Sequence, residues 1–234
     1  MTPAILGLGV SVEQPSVVPV RQPSRRLRWL LFGGALIVGL GVGGAIAVLR
    51  SPSAPAVPNV YDPGYTWPAG TALAPGFTLR GENGQPISLE QFRGRPVILT
   101  FIDPLCRNLC PLEAKVLGQI ARQMPVAQRP AIVAVSVNQW ADARSNLVLD
   151  KSKWSLPRSW HWAIGSPQAL ARVWKDYAIG VSAATKTIAG VTVHRITHTE
   201  ASYVIDSNGY KRTLYLYPFR AADVERTLRS LAGA

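Results

Sequence analysis

From Trp29 to Leu49 the chain reads WLLFGGALIVGLGVGGAIAVL, 21 residues without a charged side chain. At a rise of about 1.5 Å per residue, such a run makes a helix about 30 Å long, the thickness of a bilayer's hydrocarbon core. A water-soluble fold must therefore be built from what lies on either side. Arg21, Arg25, Arg26 and Arg28 precede the run, and only Arg50 follows it before a long uncharged stretch. This bias predicts a single-pass anchor at 29–49, with the N-terminus cytoplasmic and everything after Arg50 extracytoplasmic. Ala45-Ile-Ala47 and Ala54-Pro-Ala56 resemble signal-peptide cleavage sites, but the run exceeds the roughly 7 to 15 residues of a signal peptide's apolar region, which favours a retained anchor. Gly39 and Gly43 form a weak helix-pairing motif within it.

Residues 1–28, rich in Pro, Val and Ser, read as a disordered cytoplasmic tail. Residues 50–74 read as a tether, because the five prolines between Ser51 and Ala74 prevent a helix and favour extended backbone. Residues 75–234 then form one domain. The net charge of +12 is spread out: residues 1–50 hold five Arg against Glu13, and the rest carries 20 basic and 12 acidic side chains. No basic run there exceeds Lys211-Arg212, so the charge suits an anionic membrane or an acidic partner face and excludes a nucleic-acid binder.

The order of elements predicts an α/β sandwich of thioredoxin type. Phe77–Arg80 and Pro86–Leu89 flank an Asn83-Gly84 turn and read as an N-terminal hairpin. Pro96–Ile102 and Ala131–Val137 are continuous apolar runs, as in strands buried on both faces. A helix is expected from Pro111, with Leu112, Val116, Ile120 and Met124 as its buried line. Helices at 141–150 and 167–177, strands at 161–164, 202–205 and 210–217, and a final helix at 221–231 complete the reading.

Both cysteines lie in FIDPLCRNLCPLEA, residues 101–114. A disulfide closing so short a loop constrains the unfolded chain little, so a structural staple is a poor explanation. Pro111 suits a helix start and disfavours α geometry at Cys110, which places both cysteines in a strand-to-helix turn. Unpaired amide N–H groups and the positive end of the helix dipole gather there, and both favour thiolate. Arg107 is expected to add to this and Asp103 to oppose it. Thiolate serves a redox nucleophile and a soft-metal ligand equally. His194 and His198 precede the 201–205 strand, and two thiolates with one imidazole match copper, the thiolates favouring Cu(I). With only Met1 and Met124 in the chain, a Met-rich copper site is excluded.

Gly76-Phe-Thr-Leu79, Asn83-Gly-x-Pro-x-Ser-Leu89, Phe92-Arg-Gly94, Cys106-x3-Cys110-Pro111, and His198 ahead of Tyr203-Val-Ile-Asp206-x-x-Gly209 together resemble the Sco/SenC family. The resemblance implies a membrane-anchored, thioredoxin-fold copper metallochaperone that delivers Cu(I) or Cu(II) to the binuclear copper centre of cytochrome c oxidase. It implies Cys106, Cys110 and His198 as metal ligands, the oxidase's copper-bearing subunit and a copper donor chaperone as partners, and an accompanying thiol redox activity. Thr197 stands where members often carry Asp before the histidine, Asn138-Gln139 where they carry an acidic residue and proline, and Ile102–Leu105 where an aromatic-x-Thr-His pattern is common.

Two other readings compete. A membrane-anchored thiol-disulfide oxidoreductase without metal would use the same cysteines, although thioredoxins have two residues between theirs, a Trp ahead of the first, and a proline just before the strand at 201–205. Cys-x3-Cys with His-x3-His also supplies the four ligands of structural zinc. His161, between Trp160 and Trp162, reads as a packed histidine. No nucleophile-elbow pattern surrounds Ser136 or Ser202, so hydrolase chemistry is not expected.

Overall fold

The computed structural model describes residues 63–141 and 144–231; the expected tail, the 29–49 anchor and most of the tether lie outside them. Among the described residues no helix is long and apolar enough to cross a membrane. The folded part lies within a compact unit spanning Val60–Ala234.

The two apolar runs form the middle of the sheet. β4 (Val97–Ile102) and β5 (Ala131–Ser136) are buried at every position and pair in parallel, Val97 opposite Ala131 through Ile102 opposite Ser136. β6 (Trp160–Ile164) adds in parallel to β5, and β9 (Ala201–Ile205) adds antiparallel to β4. The hairpin of β2 (Thr78–Gly81) and β3 (Pro86–Ser88) extends one edge through β6. β10 (Lys211–Leu216) and β1 (Tyr65–Thr66) extend the other, giving the order β1-β10-β9-β4-β5-β6-β2-β3. The last residues of the stretch read as a tether thus join the sheet: β1 pairs with β10, Trp67 N–H donates to the Arg212 carbonyl, and Leu73 bridges to Tyr210.

Strand alternation divides the core in two. Val97, Leu99 and Phe101 of β4 face one layer with Tyr203 and with Leu170 and Val173 of α3 (Pro167–Asp176). Ile98 and Ile102 face the other, with Leu117 and Ile120 of α1 (Leu109–Gln123), Leu147 of α2 (Arg144–Lys153), and Val224 and Leu228 of α4 (Ala221–Leu231). Trp160 and Trp162 fill that second layer edge-to-face, as expected of core aromatics. The expected hairpin, sandwich and element order are all present.

Three differences bear on the site. First, α1 begins at Leu109, two residues before Pro111, so Cys110 lies in its first turn. Proline is tolerated there because the first four helical N–H groups have no intrahelical acceptor in any case. Second, the buried line of α1 is Cys110, Glu113, Ala114, Leu117, Ile120, Ala121 and Met124, while Leu112 is 52% exposed. A strict spacing of four drifts about 40° per step around a helix, whereas alternating threes and fours stays on one face. Third, β7 (Val181–Ile188) and β8 (Val191–His198) form a separate two-stranded hairpin that the sequence reading lacks. Its turn residues Ala189 and Gly190 both have positive φ, 49° and 79°, the requirement of the tightest hairpin turns.

Candidate metal centre

Beyond Ile102 the chain turns back to α1 through residues 103–108. Asp103 starts the turn, its Oδ1 accepting from the N–H of Leu105 (2.8 Å) and from Asn138 Nδ2 (2.9 Å), while its carbonyl accepts from Cys106 N–H (3.1 Å). Arg107 does not turn its charge to the thiolates. Its guanidinium instead donates to the carbonyls of Pro104 and Cys106 and lies 3.5 Å from the buried carboxylate of Asp150. It holds the loop's shape and not the sulfurs' charge.

The two thiols differ in kind. Cys106 is half-buried and Cys110 only 1% exposed. The N–H of Cys110 donates to Cys106 Sγ at 3.5 Å, so the helix N-terminus faces the outer sulfur, as the sequence predicts. When protonated, the Cys106 thiol donates to Asn108 Oδ1 (2.9 Å). The Cys106 pKa is lowered to about 6, chiefly because the Cys110 S–H donates to its sulfur; burial opposes this, the N–H groups of Asn108 and Cys110 assist, and Asp103 opposes. The Cys110 thiol is pushed far above its usual range by that same hydrogen bond, by burial and by the Cys106 charge. At neutral pH the pair is therefore an outer thiolate and an inner thiol.

His198 ends β8 and closes the pocket. The hairpin's neck is fixed by Thr199 N–H donating to the Gly180 carbonyl (2.9 Å) and Gly180 N–H donating to Thr199 Oγ1 (3.1 Å). His198 Nδ1–H donates to the Thr199 carbonyl at 3.1 Å, which leaves Nε2 with its lone pair 4.0 Å from Cys110 Sγ. Typical metal bonds of about 2.3 Å to sulfur and about 2.0 Å to nitrogen sum to about 4.3 Å. That sum is the limit for a linear arrangement, and the 4.0 Å separation lies inside it, so one ion can reach both donors.

Of the proposed ligands, then, Cys110 and His198 converge, and Cys106 lies beside Cys110. His194 does not join them. Four residues back along an extended strand is roughly 13 Å, and its ring stacks on Trp140 (3.8 Å between centroids, 1° between planes) with Nδ1 3.0 Å from Thr185 Oγ1. One zinc ion cannot take both histidines. His161 packs against Phe92, and burial lowers its pKa, in keeping with a packed histidine.

Two acidic residues near the thiols fall outside the sequence expectations. Glu200 brings a carboxylate oxygen to the pocket: one ligand atom each from Cys110, His198 and Glu200 lie within 4.8 Å of one another. The signal was available, since i and i+2 of an extended segment face the same side. Glu113, one helical turn below Cys110, is fully buried; its Oε1 accepts from Thr100 Oγ1 (2.7 Å) and Ser202 Oγ (2.9 Å). The pocket, of about 800 Å³, is lined by these thiols, His198 and Glu200, with Leu109, Leu216 and Tyr217 along its rim.

Fold and site together define a thioredoxin-like protein with a two-cysteine, one-histidine pocket at the end of its central strands. The family model described as SCO1/SenC matches residues 68–233, and the chain belongs to that family. No curated protein matches it. Among solved structures, Bradyrhizobium japonicum ScoI with copper bound is similar at 19% identity and TM-score 0.59, over 68% of this chain and 99% of that one. Yeast Sco1 with copper bound is similar at 16% and 0.61, over 70% and 90%. BsSco, described with a disulfide switch and as a member of the Sco family of cytochrome c oxidase assembly proteins, is similar at 18% and 0.54, over 69% and 94%.

Proposed function

We propose that this protein is a copper metallochaperone, held at the membrane by residues 29–49, that carries copper on Cys106, Cys110 and His198 to the binuclear copper centre of cytochrome c oxidase. The observation that carries this reading is the 4.0 Å approach of His198 Nε2 to Cys110 Sγ, with Nδ1 committed to a backbone carbonyl. A redox pair alone has no need of an oriented imidazole lone pair beside its buried sulfur. Two thiolates make the site soft enough for Cu(I), and the imidazole suits either oxidation state. Family membership and the copper-bound relatives support the same cargo. The pocket opens at the end of the sheet, where a receiving protein can reach the outer sulfur.

A second reading rests on the unequal thiols. An acidic, accessible Cys106 with Cys110 beside it is arranged to attack a partner disulfide and resolve the mixed disulfide, two electrons and two protons passing to the substrate. The reduced chain separates the readings. A carrier takes up one equivalent of copper and yields it to a copper-free oxidase domain. Failure to take up copper, together with rapid reduction of a disulfide substrate, would establish the oxidoreductase instead.

A further inference from the structure

Glu200 has a place in the pocket that two thiolates and one imidazole do not require. It lies in the link between β8 and β9, where its backbone carbonyl accepts from Tyr217 N–H (3.0 Å) and fixes the residue's position. Its Oε2 is buried and has no hydrogen-bond partner among the described residues. A buried carboxylate oxygen without a donor is costly, because desolvation is uncompensated. One oxygen of the same carboxylate lies within 4.8 Å of the sulfur of Cys110 and of the imidazole of His198. The Nδ1–H of His198 is committed to the Thr199 carbonyl. A cation held between sulfur and imidazole would compensate this carboxylate.

We infer that Glu200 is an additional ligand that makes the site discriminate between oxidation states, the carboxylate binding Cu(II) and standing off from Cu(I). The inference rests on the copper reading above. Carboxylate is a hard donor, matched to a divalent ion better than to soft Cu(I). Charge acts in the same direction. Two thiolates and a carboxylate around Cu(II) leave one net negative charge in a half-buried pocket; around Cu(I) they leave two, and burying the second is costly. Glu200 therefore adds affinity to one oxidation state and little or none to the other.

The test uses the full chain in detergent, reduced and handled without oxygen, as wild type, Glu200→Gln and Glu200→Asp, titrated with Cu(II) and with Cu(I) against competing chelators. Glu200→Gln is expected to weaken Cu(II) roughly tenfold to hundredfold, the range seen when groups that support a metal site are lost. Cu(I) affinity should change less than about threefold. The site's potential should rise by about 59 mV for each tenfold difference. The Cu(II) electron paramagnetic resonance spectrum should change in the Gln variant, and Glu200→Asp should recover part of both signals. Equal affinities and identical Cu(II) spectra for wild type and Glu200→Gln overturn the role of Glu200 while leaving the copper reading intact. A wild type that binds neither ion overturns both. If Glu200→Gln does not fold, Glu200→Asp decides, and an Asp variant matching wild type in both ions and in its spectrum counts against the inference.

Discussion

Glu113 offers the sharpest test of how the sheet beneath the thiols is built. It sits on the buried line of α1, facing Thr100 and Ser202, which alternation turns toward the same layer from β4 and β9. Only its Oε1 is hydrogen-bonded; Oε2 is buried without a partner. Burial raises its pKa from the ordinary 4.5 to about 7, the Thr100 and Ser202 hydrogen bonds oppose the rise, and the charges of Glu200 and Cys106 add to it. The folded chain thus holds the proton to higher pH than the unfolded chain does. The neutral carboxyl's contribution is fully present below pH 4.5 and is lost as pH rises toward 7. At about 1.4 kcal/mol per tenfold change in proton affinity, the loss comes to about 3 kcal/mol. That is a large share of a domain stability of about 5 to 15 kcal/mol. Glu113→Gln removes the proton but keeps an oxygen for Thr100 and Ser202. In urea unfolding of a fragment starting at Val60, the difference in stability, Gln variant minus wild type, should grow by about 3 kcal/mol between pH 4.5 and pH 8. Any fixed cost of the buried amide N–H shifts that difference without changing its slope. A difference that stays flat across this range would refute the reasoning.

Other outcomes follow from the same geometry. Cys106 should be alkylated by iodoacetamide at pH 7 with a midpoint near its lowered value of about 6, and Cys110 should resist until Cys106 is blocked; trypsin cuts after Arg107, so mass spectrometry reads the two separately. Leu117→Ala, at a fully buried position of α1, should cost about 2 to 5 kcal/mol in urea unfolding. Leu112→Ala, at an exposed one, should stay within about 0.5 kcal/mol.

What the sequence makes legible is what local physics decides. Pro96–Ile102 and Ala131–Val137 announce central strands because two buried faces demand unbroken apolar runs, and β4 and β5 fall there. Asn83-Gly84 announces a hairpin because its glycine takes a positive φ of 83° cheaply. The hairpin at 181–198 hides for the opposite reasons. Its strands are largely exposed and lack clean alternation, and its turn is Ala189-Gly190, where alanine at positive φ gives no compositional sign. Glu113 hides because a carboxyl reads as a surface residue, and only the meeting of Thr100 and Ser202 across paired strands makes a buried place for it. The sequence offers Cys106, Cys110 and two neighbouring histidines as candidates, but which histidine turns toward the sulfur depends on β8. Only the hairpin's register and its pinned neck direct His198 inward and leave His194 against Trp140.

If Cys106, Cys110 and His198 close one copper site, substituting each histidine in turn reads it directly. Reduced wild type should bind one equivalent of copper, His194→Ala should bind within about threefold of wild type, and His198→Ala should weaken binding roughly tenfold to hundredfold. Unchanged copper affinity in His198→Ala, or an equal loss in His194→Ala, would contradict it.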